Sequence, residues 1–101
     1  MLLFLQMRWR IEGMITLDEL WKKEVSEAVH ALTPANPVKL IGIWKVASQR
    51  HVIAVVDAPN GDEMDRETFS LPLAEYLELE QVWPLREYSS FIEDCKKGFK
   101  F

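Results

Sequence analysis

A glutamate within an apolar helical stripe is the main chemical signal in this sequence. Apolar residues recur at helical spacing from Leu17 to Leu32, and Glu24 falls inside the stripe that they form. A carboxylate that points into a protein core is unfavourable unless it is paired or protonated, and burial raises its pKa towards the range in which a general acid or base works. The pattern therefore predicts Glu24 as a proton carrier. The alternative is that Glu24 pairs with a cation or a backbone group and has a structural role only.

Glu27 lies at the edge of the same stripe and is the second candidate for proton transfer. The opposite side of the predicted helix is polar and holds Lys22, Lys23, Ser26 and His30. We therefore expect one face of this helix to point into the protein and to carry the chemistry, while the other face is solvated.

Composition argues against several other kinds of site. The 101 residues carry a formal net charge of −4 with no block of like charges, so we expect no nucleic-acid partner. Cys95 is the single cysteine, and His30 and His51 are far apart, which gives no metal-ligand spacing. The apolar start, residues 1–9, is too short for a signal peptide or a membrane span. These features predict a cytoplasmic protein with no metal site and no membrane partner.

The elements that must position the glutamates begin with a strand. Apolar and polar residues alternate over residues 2–11, which predicts a strand. Thr16 and Glu19 have the spacing of a capping box, so helix one should begin there and extend to about Leu32. The loop of residues 33–37 contains two prolines and ends the helix.

A hairpin over residues 38–58 is predicted next, with its turn at residues 48–50. Strict alternation would place Leu40 and Trp44 on one face of its first strand and Ile43 on the other. Both faces of the hairpin are largely apolar, whereas a strand buried on one side alternates more cleanly. We therefore expect one face to pack under the helices and the other to contact a second subunit.

A second helix and a fourth strand complete the predicted domain. Residues 62–71 form the helix, with its inner side supplied by Met64, Thr68, Phe69 and Leu71. Residues 76–83 alternate and form the strand, with Leu77, Leu79 and Trp83 on one side. The order β-α-β-β-α-β is typical of the ferredoxin-like α+β fold, an antiparallel sheet with both helices on one face.

A short tail is expected after this unit. Ser90 and Glu93 have the spacing of another capping box, which predicts a brief helix that ends near Gly98. The sequence is thus interpreted as a single domain over residues 1–101, with residues 88–101 as its tail.

Several short segments, in this order, resemble the muconolactone isomerase family. They are Ile43-Trp44-Lys45-Val46-Ala47, Val55-Val56-Asp57, Leu71-Pro72-Leu73 and Tyr76, together with the Met-Leu start and the helix-one run from Asp18 to Glu24. The resemblance implies a ferredoxin-like fold that assembles as a dimeric α+β barrel and then into larger oligomers. It also implies movement of a double bond in an unsaturated lactone without a cofactor, with a glutamate of helix one as the proton carrier.

The resemblance does not decide which glutamate this is. Alignment without gaps back from Trp44 selects Glu27, whereas alignment of the helix pattern selects Glu24, which we prefer because its position faces inwards. The sequence departs from the family at the hairpin turn, residues 48–51, at residues 74–75 and at residues 86–87. These departures predict a natural substrate that differs from that of a standard member.

Residues that could contact a small-molecule substrate follow from this mechanism. An enolate needs donors and an acidic substrate needs a cation, for which Lys23, Lys45, Arg50 and His51 are the candidates. Tyr76 could donate to a substrate oxygen, and Trp44 could line an apolar pocket. Each of these residues also has a purely structural interpretation, as a surface charge or a packed aromatic ring.

The sequence therefore predicts a cofactor-independent isomerase that shifts a proton on an unsaturated lactone or a related small acid, and that self-associates. One alternative is a non-catalytic oligomeric binding module. The other is a related α+β-barrel enzyme, such as a cyclase or a lactone dehalogenase, since fold does not determine function.

Overall fold

A four-stranded antiparallel sheet with helices on one face forms the body of the protein. A computed structural model describes all residues, 1–101. Its elements are β1 (Leu2–Trp9), α1 (Leu17–Ala31), β2 (Lys39–Lys45), β3 (His51–Asp57), α2 (Gly61–Ser70), β4 (Leu77–Leu85) and α3 (Tyr88–Lys96), with a 3₁₀ turn at Ala74–Tyr76 before β4. The strand order is β2-β3-β1-β4, and every neighbouring pair is antiparallel. This confirms the predicted ferredoxin-like α+β fold.

Side-chain caps fix the beginnings of the two packed helices. The Thr16 hydroxyl accepts from the Glu19 backbone N–H at 3.2 Å, as the capping box predicts. At α2 the Asn60 carboxamide oxygen accepts from the Glu63 backbone N–H at 2.9 Å. In each helix, at least one of the first backbone N–H groups therefore has a hydrogen-bond partner.

The third helix begins earlier than predicted. It starts at Tyr88, and its N-cap Glu87 makes no side-chain capping hydrogen bond, so the expected capping box at Ser90 lies inside the helix. It ends as predicted, because Gly98 adopts a positive φ of 61° and Phe99 donates to the Asp94 carbonyl.

The core lies between the sheet and the helices. Its strand residues are the inward rows of β1 and β3, which are Leu3, Leu5, Met7, Trp9, Val52, Ala54 and Val56. Leu20 of α1 and Leu73 close this layer, at 1% and 0% exposure. The row of residues on the other side of the sheet has no covering layer within the chain.

A β-bulge in β2 overturns the predicted faces of that strand. The register of β2 against β3 shifts between Leu40 and Gly42, so Ile41 is the extra residue. Leu40 and Ile43 consequently both point towards the helices. Trp44 pairs with Ile53 and lies on the opposite face, although strict alternation assigned it to the face of Leu40.

A second bulge has the same effect on β4. The register against β1 shifts between Gln6 and Met7, which leaves Glu80 as the extra residue. Leu79 faces the helices, but Trp83 lies on the open face, where its ring stacks on Phe4 at a centroid distance of 5.2 Å. The expectation that Leu79 and Trp83 share a face is therefore wrong.

The inward side of α1 is also rotated from the predicted stripe. Leu20 and Glu27 are its two buried residues, whereas Trp21 and Val25 are 61% and 69% exposed. The apolar residues of α1 thus divide between an inward row and an outward row. On α2, Met64, Thr68 and Leu71 face inwards as predicted, but Phe69 is exposed.

Candidate active site

An apolar cavity separates the two helices from the sheet. Its volume is about 150 Å³, and 16 of its 21 lining residues are hydrophobic. The floor is formed by the inward rows of the strands, including Met7, Val52 and Ala54. Residues of α1 and α2 form the roof. A concave, mainly apolar site with a few polar groups is typical of a small-molecule site.

Glu24 and Glu27 both line this cavity from α1. They are three residues apart, so their side chains lie on the same side of the helix, one turn from each other. One oxygen of each carboxyl group, Oε2 of Glu24 and Oε1 of Glu27, is buried and has no hydrogen-bond partner. Glu27 is the more deeply placed residue, at 9% exposure, while Glu24 is half-buried. Both glutamates therefore face inwards, and Glu27 is the more deeply buried of the two.

Burial raises the pKa of both carboxyl groups. For Glu27 the pKa reaches about 7, because desolvation is reinforced by the negative charges of Glu24 and Glu67 and is opposed only in part by the Leu73 backbone N–H. The pKa of Glu24 is raised by burial as well, although hydrogen bonding to Glu27 and to the Trp9 indole opposes this shift. Two carboxyl groups this close do not both ionise readily, so the pair can hold one proton near neutral pH.

A third carboxylate, Glu67 of α2, lines the cavity next to this pair. Its Oε2 lies 3.3 Å from Nε2 of His30, which links α2 to α1. His30 was expected on the solvated side of the helix, and its side chain is 41% exposed although it contacts Glu67. The signal that could have identified Glu67 is the one that identified Glu24, since both are carboxylates among the inward apolar positions of a helix.

Asn36 is a further polar residue of the cavity wall, and it was not predicted from the sequence. It is 9% exposed and lines the cavity from the loop between α1 and β2. Its carboxamide oxygen accepts from the Val38 backbone N–H at 3.0 Å, so its NH₂ group is left to donate to a ligand. The only sequence signal was a polar residue between two prolines.

Two of the predicted substrate-binding residues lie on β2 but outside the cavity. Trp44 lies on the open face of the sheet, contrary to its expected place in the pocket wall, and its ring covers Gly42 so closely that a Cβ added there would lie 2.6 Å from it. Lys45 lies at the end of the strand with Nζ 5.8 Å from the centroid of the Trp9 ring. Trp9 lines the cavity, so Lys45 is close to its edge without being part of its wall.

The remaining predicted residues are distributed around the molecule. Arg50 is exposed and pairs with Glu12 at 3.1 Å. His51 lies on the open face, and its Nε2 is 2.9 Å from a Glu80 oxygen. Tyr76 ends the 3₁₀ turn and packs against the core, where burial and the neighbouring Glu75 raise its pKa. Lys23 does not line the cavity either. The structure therefore brings together Glu24 and Glu27 but none of the six residues predicted to contact the substrate.

The chemistry available in the cavity is proton transfer in an apolar setting. Glu27, coupled to Glu24, can take up and release a proton near neutral pH, and Asn36 supplies an N–H donor. No group of three or more His, Cys, Asp or Glu side chains is placed to hold a metal ion. None of the helices has the length and apolar character needed to cross a membrane.

Comparison with known proteins gives a family match over most of the chain. The sequence model of the family described as muconolactone delta-isomerase matches residues 1–90, which include all four strands and both helices that cover the sheet. No curated protein matches the chain. Because the family match extends over most of the sequence, the chain belongs to the muconolactone delta-isomerase family.

Proposed function

We propose that this protein is a cofactor-independent isomerase that moves a double bond in a small unsaturated lactone or related carbonyl compound. The observation that carries the proposal is the Glu24–Glu27 pair, whose unpartnered carboxyl oxygens border an apolar cavity. Family membership supports the same reaction class.

In this mechanism Glu27 is the proton carrier. Its carboxylate removes a proton from the carbon next to the substrate carbonyl, and the electrons of the broken C–H bond form the enolate. The same proton then returns from Glu27 to the far end of the allylic system, so the double bond moves and the enzyme is regenerated. A pKa of about 7 suits both halves of this cycle, because the group gains and loses a proton with similar ease at neutral pH.

Glu24 and the cavity wall assist this cycle. Glu24 holds the pKa of Glu27 high through its charge, and the Asn36 NH₂ group can donate to the enolate oxygen. The apolar floor keeps water from competing for the proton and strengthens these electrostatic interactions.

Self-association is the second part of the proposal. The open face of the sheet carries Phe4, Trp44, Ile53 and Trp83, and Trp44 and Trp83 are 59% and 53% exposed. An apolar surface of this kind is unusual on a monomer. We infer a homodimer or larger homo-oligomer that buries this face and leaves the cavity on the other side of each sheet.

The test compares Glu27→Gln with Glu24→Gln. We expect Glu27→Gln to lower kcat for isomerisation of a butenolide substrate by about 10²- to 10⁴-fold, the usual contribution of a general acid or base. Glu24→Gln should cause a smaller loss and move the acid limb of the pH–rate profile to lower pH, because the Glu24 charge raises the pKa of Glu27. The readout is the ultraviolet absorbance change as the double bond moves into or out of conjugation.

Glu93→Gln on α3 is the matched control, since Glu93 is exposed and pairs with Lys96. It should leave the rate unchanged. Full turnover by Glu27→Gln would disprove its role as the proton carrier. A wild-type protein that isomerises no unsaturated lactone or enone would disprove the proposed reaction.

A further inference from the structure

The wall of the cavity contains acidic side chains but no basic side chain. Three carboxylates line it, Glu24, Glu27 and Glu67, and its 21 lining residues include no lysine, arginine or histidine. A pocket that binds an organic acid normally supplies a cation, because an unpaired carboxylate loses its hydration on entering an apolar site. The wall of this cavity carries acidic side chains in place of a cation.

The arginines of the chain are engaged elsewhere. Arg8 and Arg50 both contact Glu12, and the other three pair with acidic groups outside the cavity, which are Glu78 for Arg10, Glu63 for Arg66 and Asp94 for Arg86. None of these guanidinium groups is directed at a ligand in the cavity.

Two other groups that can carry a positive charge contact residues of the cavity wall, and each has a partner. His30 contacts Glu67, so its positive charge, when present, is offset by a carboxylate. Lys45 donates from Nζ to the Val46 carbonyl at 2.8 Å and lies over Trp9. No basic side chain therefore lines the cavity beside Glu27, and Lys23, one helical turn before Glu27, is not part of the cavity wall.

We propose that the cavity binds a neutral, monocyclic, unsaturated carbonyl compound and discriminates against the same ring carrying an ionised carboxylate. The inference rests on the proposed function for the reaction class and adds the charge of the substrate. It separates this chain from enzymes that act on an acidic lactone such as muconolactone, which bears a carboxymethyl group.

The size of the cavity favours a single ring. An apolar protein cavity of roughly 150 Å³ holds a molecule the size of benzene, and the cavity here has a volume of about 150 Å³. A five- or six-membered lactone or cyclic enone fits this space with few additional atoms. A larger or bicyclic compound would require the helices to move.

Polar recognition in the cavity also suits a neutral carbonyl group. The Asn36 NH₂ group is an uncharged donor, and one carboxyl group of the Glu24–Glu27 pair is a donor when it carries the shared proton. A carbonyl oxygen can accept from either group. An added carboxylate would instead face the negative charges of the glutamates in a poorly solvated site.

The experiment uses two butenolides of nearly equal shape, one with a carboxymethyl substituent and one with the isosteric, uncharged carbamoylmethyl substituent. Binding to the full-length protein is measured by isothermal titration calorimetry at pH 7.5, and turnover is measured separately by absorbance. We expect the amide to bind at least about tenfold more tightly than the acid, since one like-charge interaction in a partly buried site is worth at least that much.

Glu67→Gln provides the second variant, because it removes one negative charge from the wall while keeping the shape of the side chain. The ratio of the two affinities should fall towards one in this variant. Tighter or equal binding of the acid by the wild-type protein would overturn the inference, and so would failure of the amide to bind.

Failure of the proposed reaction can be distinguished from failure of the proposed charge preference. If the amide binds tightly but is not isomerised, the ligand class is supported and the proposed reaction is wrong. If the acid is the better substrate, the reaction is supported and the proposed charge preference is wrong.

Discussion

The two faces of the sheet are both apolar, but they are used differently. On the helix-covered face, Leu5, Met7 and Ala54 form the floor of a cavity bordered by carboxylates. On the open face, Phe4 and Trp83 stack on each other and remain partly exposed. Neighbouring residues of β1 therefore face two different environments, the cavity on one side of the sheet and the open face on the other.

Apolar periodicity alone does not decide how a face of a sheet is used. A row of apolar side chains can pack in a core, line a cavity or form a contact with a second subunit. All three uses produce the same alternation of apolar and other residues in the sequence. The carboxylates of α1 distinguish the covered face of the sheet, because they are polar groups that can exchange a proton with a ligand in the cavity. The open face instead carries a contact between His51 and Glu80, with Nε2 of His51 2.9 Å from a carboxylate oxygen.

Among changes to the two faces of the sheet, the largest effect should come from filling the cavity from its floor. Ala54 is 2% exposed and its side chain faces the void, so Ala54→Leu places an isobutyl group where the substrate would bind. We expect kcat/KM for isomerisation to fall by about a hundredfold, within the range that pocket methylenes control. The free energy of unfolding should change by less than about 1.5 kcal/mol, because the void receives the added atoms.

Val55→Leu is the matched control for this variant, because the adjacent residue points to the open face. Its activity should equal that of the wild type. Equal losses in both variants, measured by steady-state kinetics and urea unfolding, would mean that the two faces are not functionally distinct.

A second, smaller effect concerns the open face. Trp83→Glu places a charge on the proposed subunit contact, and we expect self-association to weaken by about 2 kcal/mol or more, as for a buried aromatic interface residue. Met14→Glu changes an equally exposed residue that belongs to neither face (57% against 53% exposed) and should leave association unchanged. Light scattering at micromolar concentration measures both, and a monomeric wild-type protein would remove the basis for the proposed interface.

The third effect is the pH dependence of stability. The folded-state pKa of Glu27 is about 7, against 4.5 for an exposed glutamate, so the unfolded chain releases this proton first as the pH rises. The Glu27 contribution therefore destabilises the protein progressively between about pH 4.5 and pH 7.

Thermal unfolding of the wild type and of Glu27→Gln at several pH values isolates this contribution. The difference in Tm between the two proteins should change across this interval, with the wild type relatively more stable at the acid end. A difference that is constant with pH would contradict the raised pKa.

Much of the architecture is predictable from the sequence because it depends on local signals. The Thr16 cap, the alternation of β1 and the proline loop after α1 each act within a few residues. The candidate glutamates were also identifiable, because a carboxylate among apolar helical positions is a local anomaly. Which of the two lies deeper was not, since that depends on how α1 is rotated above the sheet.

The placement of the tryptophans could not be predicted for a specific physical reason. Each bulge adds one residue to a strand, and every side chain beyond it changes face relative to strict alternation. Trp44 and Trp83 follow the bulges at Ile41 and Glu80, so both rings appear on the face opposite to the expected one. The His30–Glu67 contact was missed because it joins residues 37 positions apart.

The bulge at Ile41 also suggests how such a site could diverge. Deleting this one residue would restore strict alternation in β2 and leave Leu40 and Ile43 on the cavity face, with Trp44 still opposite Ile53 on the open face. If Ile41 instead became part of a regular ladder, every side chain after it would change face and Trp44 would enter the cavity. The bulge therefore lets β2 vary by one residue in length without exchanging its two faces, and related sequences should be aligned on Trp44 rather than by a fixed residue count from Leu40.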